Sequence, residues 1–206
     1  TCLRVGKPVI VATHMLESMI ESPMPTRAEV TDVANAVFEQ TDAIMLSGET
    51  TVGKYPLKCI EVFDRIAKRI ERSGGAKFYE QAELTQARQK VVKSAVVMAY
   101  ELKADAILVF TRHGSMARYT GWLRPHYSTV YGLCARESVA RGLSLSWGVK
   151  PMVIPFDLIN PQNTIETALK LMIEQGFLKK GQTAVIIGSI LSGDQIIDAV
   201  QMRVVS

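Results

Sequence analysis

The sequence predicts an α/β fold: a mostly parallel sheet covered by helices on both faces, in a chain of 206 residues. Two observations carry this expectation. Short, continuous runs rich in Val, Ile and Leu read as strands buried on both faces, and they alternate with segments whose apolar residues recur at helical spacing. Glycine, proline and hydroxyl residues fall between the two kinds of segment, where turns belong. On such a sheet, ligands bind at the carboxyl ends of the strands.

Taken in order, residues 8–12 (PVIVA) read as the first buried strand, followed by a loop in which Pro23 and Pro25 forbid a continuous helix. Thr26 and Glu29 have the spacing of a capping box, opening a helix in which Val30, Val33, Ala34, Val37 and Phe38 share one face. A second strand, 42–48 (DAIMLSG), runs into the polar loop Ser47-Gly48-Glu49-Thr50-Thr51. Pro56 then begins a helix reaching about Arg72, with Ile60, Phe63, Ile66, Ala67 and Ile70 facing inward. Two strand–helix units leave open sheet edges, so this half requires further chain or a neighbour to pack against.

Ser73-Gly74-Gly75 is the strongest helix stop and marks the division between a first part, 1–72, and a second, 84–206, with 73–83 as linker. A long helix is expected over about 84–102, with Val92, Ala95, Val96, Ala99 and Leu102 inward. Strands follow at DAILVFT, TVYGLCA, KPMVIPF, TAVIIGS and AVQMRVVS, with helices near 115–123, 137–146 and 163–177. In 118–127 (RYTGWLRPHY), helical spacing gives Tyr119, Trp122 and Leu123 a packing role, favoured over a base-stacking site.

Composition excludes several classes. An apolar fraction of 48% with 21% charged residues is that of a globular protein, and no apolar run approaches the ~18 residues of a membrane helix. Three widely spaced cysteines, Cys2, Cys59 and Cys134, fit reduced thiols in a cytoplasmic protein and not a zinc site. A net charge of +4 favours small anions without requiring nucleic acid. The basic cluster Arg65, Lys68, Arg69 and Arg72 reads as a solvated helix end that complements the helix dipole. Met15, Met19 and Met24 read as loop and core packing, not as metal ligands. The start, Thr1-Cys2-Leu3-Arg4, has no initiator methionine and no leader pattern, from which a trimmed beginning is expected.

Residues 6–56, GKPVIVATHMLESMIESPMPTRAEVTDVANAVFEQTDAIMLSGETTVGKYP, resemble the last two strand–loop units of the catalytic barrel of the pyruvate kinase family. Residues from about 74 onward resemble that family's carboxyl-terminal domain in strand order and in WGVKP near residue 147. The resemblance implies a partial β/α (TIM-type) barrel segment, 1–72, followed by a three-layer α/β domain, 84–206. It implies phosphoryl transfer from phosphoenolpyruvate to ADP, with Mg²⁺ and K⁺ in the intact enzyme, a homo-oligomer, and a possible phosphorylated effector. Neither nucleic acid nor membrane is an expected partner. The family's metal-binding carboxylates, substrate-contacting lysine and phosphate-binding arginine precede the matched region, so no metal ligand is assigned here and this chain is expected to be inactive alone.

Particular residues inherit expectations from the resemblance. Thr13 stands where the family places the threonine implicated in delivering a proton to the enolate carbon, directly or through water. Without the family, a hydroxyl just past an apolar strand is either barrel chemistry or a turn hydroxyl. His14 replaces the usual glutamine; it either tunes proton traffic or is a plain loop histidine. Ser47, Gly48, Glu49 and Thr50 match the loop after the last barrel strand, at the active-site mouth, where Gly48 and Gly53 permit tight turns and the hydroxyls tie the loop to neighbours or to phosphate. Val52 takes the place of a lysine found in some members, so no nucleotide pairing is assigned there. Arg27 lies in a segment matching a subunit interface.

In the second domain, Thr111-Arg112-His113-Gly114-Ser115-Met116-Ala117 follows a strand where the family often binds a phosphorylated effector. Backbone N–H groups at a helix start hold phosphate well. Met116 takes the place of a hydroxyl, leaving Thr111, Arg112, His113, Gly114 and Ser115 as candidate anion ligands, weighed evenly against a plain strand-to-helix turn. Asp194, in GDQIID, would repel a nearby phosphate and points to altered or lost regulation by a sugar phosphate. The alternative reading is a non-catalytic α/β module for anionic-metabolite binding or subunit assembly.

Overall fold

The computed structural model describes residues 1–206 apart from 13, 158, 193 and 194, and apart from the side chains of 190–192, 195 and 196. Thr13 and Asp194, both singled out above, therefore lie outside the described residues. The chain forms two compact units, Thr1–Glu83 and Leu84–Ser206.

In the first unit, β1 (Ile10–Val11) pairs in parallel with β2 (Ala43–Ile44), Ile10 opposite Ala43 and Val11 opposite Ile44. Both strands are shorter than the apolar runs that announce them, because among the described residues each has only the other as ladder partner. The helices are α1 (Arg27–Phe38), α2 (Gly48–Thr51) and α3 (Pro56–Glu71). The capping box forms as expected: the Glu29 N–H donates to Thr26 Oγ1 at 3.3 Å and the Thr26 N–H to Glu29 Oε2 at 2.8 Å.

The core of this unit gathers Leu16, Met19, Val33, Ala36, Cys59 and Val62, with Phe63 and Ile66 packed on it. The inward stripes are narrower than the periodicity predicts. Val30, Phe38 and Ile60 are exposed, because a two-stranded ladder covers only a strip of each helix. Residues 73–83, expected as linker, are tied into this unit. The Ala76 N–H donates to Phe38 O at 2.8 Å, Phe78 N–H to Gln40 Oε1 at 2.9 Å, and Glu83 N–H to Arg4 O at 2.7 Å.

The second unit contains α4 (Ala87–Glu101), β3 (Ala106–Phe110), α5 (Ser115–Trp122), β4 (Thr129–Cys134), α6 (Glu137–Leu143), β5 (Val149–Val153), α7 (Pro161–Glu174), β6 (Thr183–Ser192) and β7 (Gln195–Val204). Its five strands lie in the order β5-β4-β3-β6-β7. The first four are mutually parallel, as predicted, while β7 returns antiparallel to β6 from Ser192↔Gln195 back to Thr183↔Val204. The strand expected over TAVIIGS thus runs on to Ser192 because the returning arm supplies it with ladder partners.

Alternation along the central strands sends Ala106, Leu108, Ala184 and Ile186 toward Ile165, Ala168 and Met172 of α7. Ile107 and Val109, equally buried, face the opposite side, where α4 and α5 pack. The domain is therefore three-layered. Trp122 and Leu123 are buried, as packing requires, and the buried Arg124 guanidinium stacks 4.4 Å above the Trp147 ring. No helix among the described residues is long and apolar enough to cross a membrane.

Candidate functional site: paired loops in the first unit and a cleft in the second

β1 and β2 are parallel neighbours, so the loops that leave their carboxyl ends lie side by side. Glu49 fastens one to the other. Its side chain is buried, Oε1 accepts from the Leu16 N–H at 3.1 Å, and Oε2 accepts from the Ser47 N–H at 2.9 Å. This carboxylate thus couples the segment around Leu16, three positions after Thr13 in the sequence, to Ser47 at the head of α2, a short helix where the sequence suggests a loop. The hydroxyls of Thr50 and Thr51 both donate to Ser47 O, closing the turn on itself instead of reaching a neighbour.

Gly53 is needed for close approach, not for an unusual turn, since a Cβ there would sit 2.4 Å from Glu49 O. The Cys59 thiol donates to that same carbonyl at 3.6 Å. Burial, with the Glu49 carboxylate nearby, pushes its pKa up.

A second carboxylate, Glu29, secures the far side of the first loop. It accepts from the N–H and hydroxyl of Ser18 and from the N–H and hydroxyl of Thr26. Burial alone would raise its pKa, but these hydrogen bonds outweigh burial and hold it below the ordinary carboxylate value. The sequence showed the capping role of Glu29; Ser18, a lone hydroxyl in an irregular loop, gave no signal. His14 has φ +53°, uncommon for a residue with a Cβ, and its Nδ1 lies 2.6 Å from Glu17 Oε2 on the exposed side of the loop. Arg27, the first residue of α1, is exposed.

In the second unit, the chain runs outward from β3 to β4 and β5, then returns to place β6 on the other side of β3. The carboxyl ends of β3 and β6 thus flank a topological switch point, the place where an open α/β sheet forms a ligand crevice. A cleft of about 390 Å³ lies there. Its walls include Thr111, Arg112, His113 and Ser115, so the structure brings four of the five predicted anion ligands to one cavity. The fifth, Gly114, is the N-cap of α5 at φ +84°, and its N–H donates to the buried Thr111 Oγ1 at 3.0 Å. Met116, in the hydroxyl's place, is buried against the cleft.

The opposite wall was not legible in the sequence. Phe156 and Asp157 follow β5, and α7 begins at Pro161, earlier than the apolar periodicity suggests, with Asn160 as N-cap. The Asp157 carboxylate accepts from the Asn160 and Ile159 N–H groups and from Asn163 Nδ2. The Asn160 N–H above all, then the Asn163 amide and the Ile159 N–H, hold it below the usual range. The motif Asp-x-x-Asn-Pro was the available signal for this turn and helix start. Arg88, on α4, reaches the cleft and donates through Nε to Asp198 Oδ2 at 3.0 Å, a pairing 110 residues apart that no local pattern encodes.

Comparison with known proteins agrees with this anatomy. Residues 1–60 match the barrel domain of pyruvate kinase and residues 89–200 its alpha/beta domain. The chain is 39% identical over 193 residues to pyruvate kinase 2 of Synechocystis, covering 94% of this chain and 32% of that protein. It is 41% identical over 191 residues to the chloroplastic pyruvate kinase isozyme G of Ricinus communis, covering 91% of this chain and 45% of that one. A crystal structure of a pyruvate kinase from Cryptosporidium parvum superposes with a TM-score of 0.85 at 32% identity, over 100% of this chain and 41% of the other. A structure of pyruvate kinase from the same organism in complex with ADP gives a TM-score of 0.78 at 32% identity, covering 100% and 42%. The chain thus spans less than half the length of these relatives. Its two domain matches, on a fold shared over its whole length with solved members, show that this chain belongs to the pyruvate kinase family.

Proposed function

We propose that this chain works as a portion of a glycolytic pyruvate kinase, supplying part of the active-site mouth and the α/β domain to an enzyme that transfers a phosphoryl group from phosphoenolpyruvate to ADP. The supporting observation is the Glu49 carboxylate, which joins the loops after two adjacent parallel strands through the Leu16 and Ser47 N–H groups. Such coupling holds a barrel's catalytic loops in a fixed relation, which is what positioning a reacting group demands. In this reading Thr13 delivers a proton to the enolate carbon, and Ser47, Gly48 and Thr50 shape the adjoining rim. Arg27 belongs to a contact between subunits of a homo-oligomer, and the free cysteines accord with a cytoplasmic enzyme.

Phosphoryl transfer calls for cations, Mg²⁺ and K⁺, to neutralise phosphate charge. The described residues do not fit a site for them: none form a group of three or more His, Cys, Asp or Glu side chains able to hold a metal, and Glu29 and Glu49 are engaged by N–H and hydroxyl donors. No step is therefore assigned to a metal through this chain. The cleft of the second unit serves a phosphorylated effector or other anion, and it also favours the second reading, a non-catalytic module for anionic metabolites.

A coupled assay for pyruvate formation from phosphoenolpyruvate and ADP, with Mg²⁺ and K⁺, tests the main reading. The 22.7 kDa chain alone is expected to show no turnover. A longer protein containing it is expected to turn over and to lose most activity on Thr13→Val. Turnover by the pure 206-residue chain would overturn the assignment.

A further inference from the structure

The two arginines that line the second-unit cleft, Arg112 and Arg88, are unlike, and the difference limits what it can hold. Arg112 and His113 stand on its wall just ahead of α5. Arg136 Nη2 donates to Arg112 O at 3.3 Å and lies 3.1 Å from His113 Nδ1. A guanidinium has only donors, so His113 Nδ1 carries the lone pair and the ring proton sits on Nε2 as a further donor. The Arg112 guanidinium is exposed and forms no ion pair among the described residues. This part of the wall offers donors to one anionic group.

Arg88, the second arginine among the described residues that line the cleft, is already paired with Asp198, which also accepts from Ser189 Oγ at 2.8 Å. Asp157 lines the cleft as a carboxylate whose pKa is held below the usual range by the Asn160 N–H, the Asn163 amide and the Ile159 N–H. A second phosphate in the cleft would find Arg88 already paired and the Asp157 carboxylate on the wall, an arrangement that repels it.

Another part of the wall is apolar. Phe110 and Phe156 line it with ring centroids 6.1 Å apart and planes inclined at 54°. Gly188 faces the first ring: the nearest atoms to a Cβ built there are Phe110 Cβ at 3.5 Å and Cδ2 at 3.8 Å. The glycine therefore leaves bare a patch of aromatic surface that a side chain would cover. A cavity of about 390 Å³ suffices for a ring and one anionic head.

We propose that this cleft binds a ligand with a single anionic group on a flat aromatic or heteroaromatic body, the anion at Arg112 and His113 and the ring against Phe110 and Phe156, and that it discriminates against sugars carrying two phosphates. The inference rests on the reading of the cleft as an anion site and adds the ligand class.

Titration calorimetry on the 206-residue chain with three probes tests it: phenyl phosphate, inorganic phosphate and a hexose bisphosphate. Phenyl phosphate is expected to bind at least tenfold more tightly than either other probe. Arg112→Ala is expected to abolish that binding. Gly188→Val is expected to remove the preference for phenyl phosphate while leaving inorganic phosphate unchanged, and its Cβ meets Phe110 only at van der Waals distance, so the strand is retained. Phe156→Leu gives an independent check on the ring. Equal affinity for phenyl and inorganic phosphate, or tighter binding of the bisphosphate, overturns the ligand class and leaves the anion site standing. Binding of none of the three overturns both.

Discussion

Glu49 offers the sharpest test of how the first unit is organised. Replacing it with alanine leaves the Leu16 and Ser47 N–H groups, which face a buried carboxylate at 3.1 and 2.9 Å, without acceptors. Each buried donor left unpaired costs about 1–3 kcal/mol, with hydrogen bonds to charged groups at the upper end. Glu49→Gln keeps one acceptor oxygen and turns an amide N–H toward the other donor, so it is expected to lose roughly one of the two bonds. Local opening governs amide exchange in such loops. A change of about 1–3 kcal/mol corresponds to about a five- to 150-fold faster exchange. Hydrogen exchange read by NMR or mass spectrometry is expected to show that acceleration at Leu16 and Ser47 in Glu49→Ala, a smaller one in Glu49→Gln, and little change in α4 or α7. Unchanged exchange at both amides in Glu49→Ala would refute the role given to this carboxylate and remove the main support for the coupled loops.

Two further outcomes follow from the electrostatics. The folded-state pKa of Glu29 lies below its ordinary 4.5, so its stabilising effect is complete above that value and disappears as pH falls through the lower folded pKa. Glu29→Gln should therefore destabilise the first unit at neutral pH, with the gap from the parent closing in acid, as measured by urea unfolding across pH; a pH-independent gap would contradict this. Burial raises the thiol pKa of both Cys59 and Cys134, lowering their thiolate fraction, whereas Cys2 is exposed. A thiol reagent is expected to modify Cys2 rapidly and the other two only after denaturant is added, and prompt modification of three thiols in the native chain would be inconsistent with the buried placements.

Local chemistry made several features legible in the sequence. The capping box at Thr26 and Glu29, the Pro56 start of α3 and the alternation of β3 to β6 with helices depend on spacing along the chain, so they survive translation into structure nearly residue for residue. The Thr111–Ser115 turn was also visible, because a hydroxyl and a glycine at fixed offsets after a strand define it locally. Other features needed tertiary structure. Glu49 reads as one polar residue in a polar loop until folding sets it against an amide 33 residues away. Arg88 and Asp198 meet across 110 residues, and the aromatic wall of the cleft forms only when β5 and β6 come to lie on opposite sides of β3. The narrowed stripes on α1 and α3 were likewise decided by how much surface the two-stranded ladder offers, a quantity that helical periodicity does not contain. The sequence determined the elements and their order, because capping, turn geometry and apolar period act over a few residues; only the tertiary structure decided which carboxylates became clamps and which cations remained available to a ligand, because those roles depend on partners that the chain brings together from far apart.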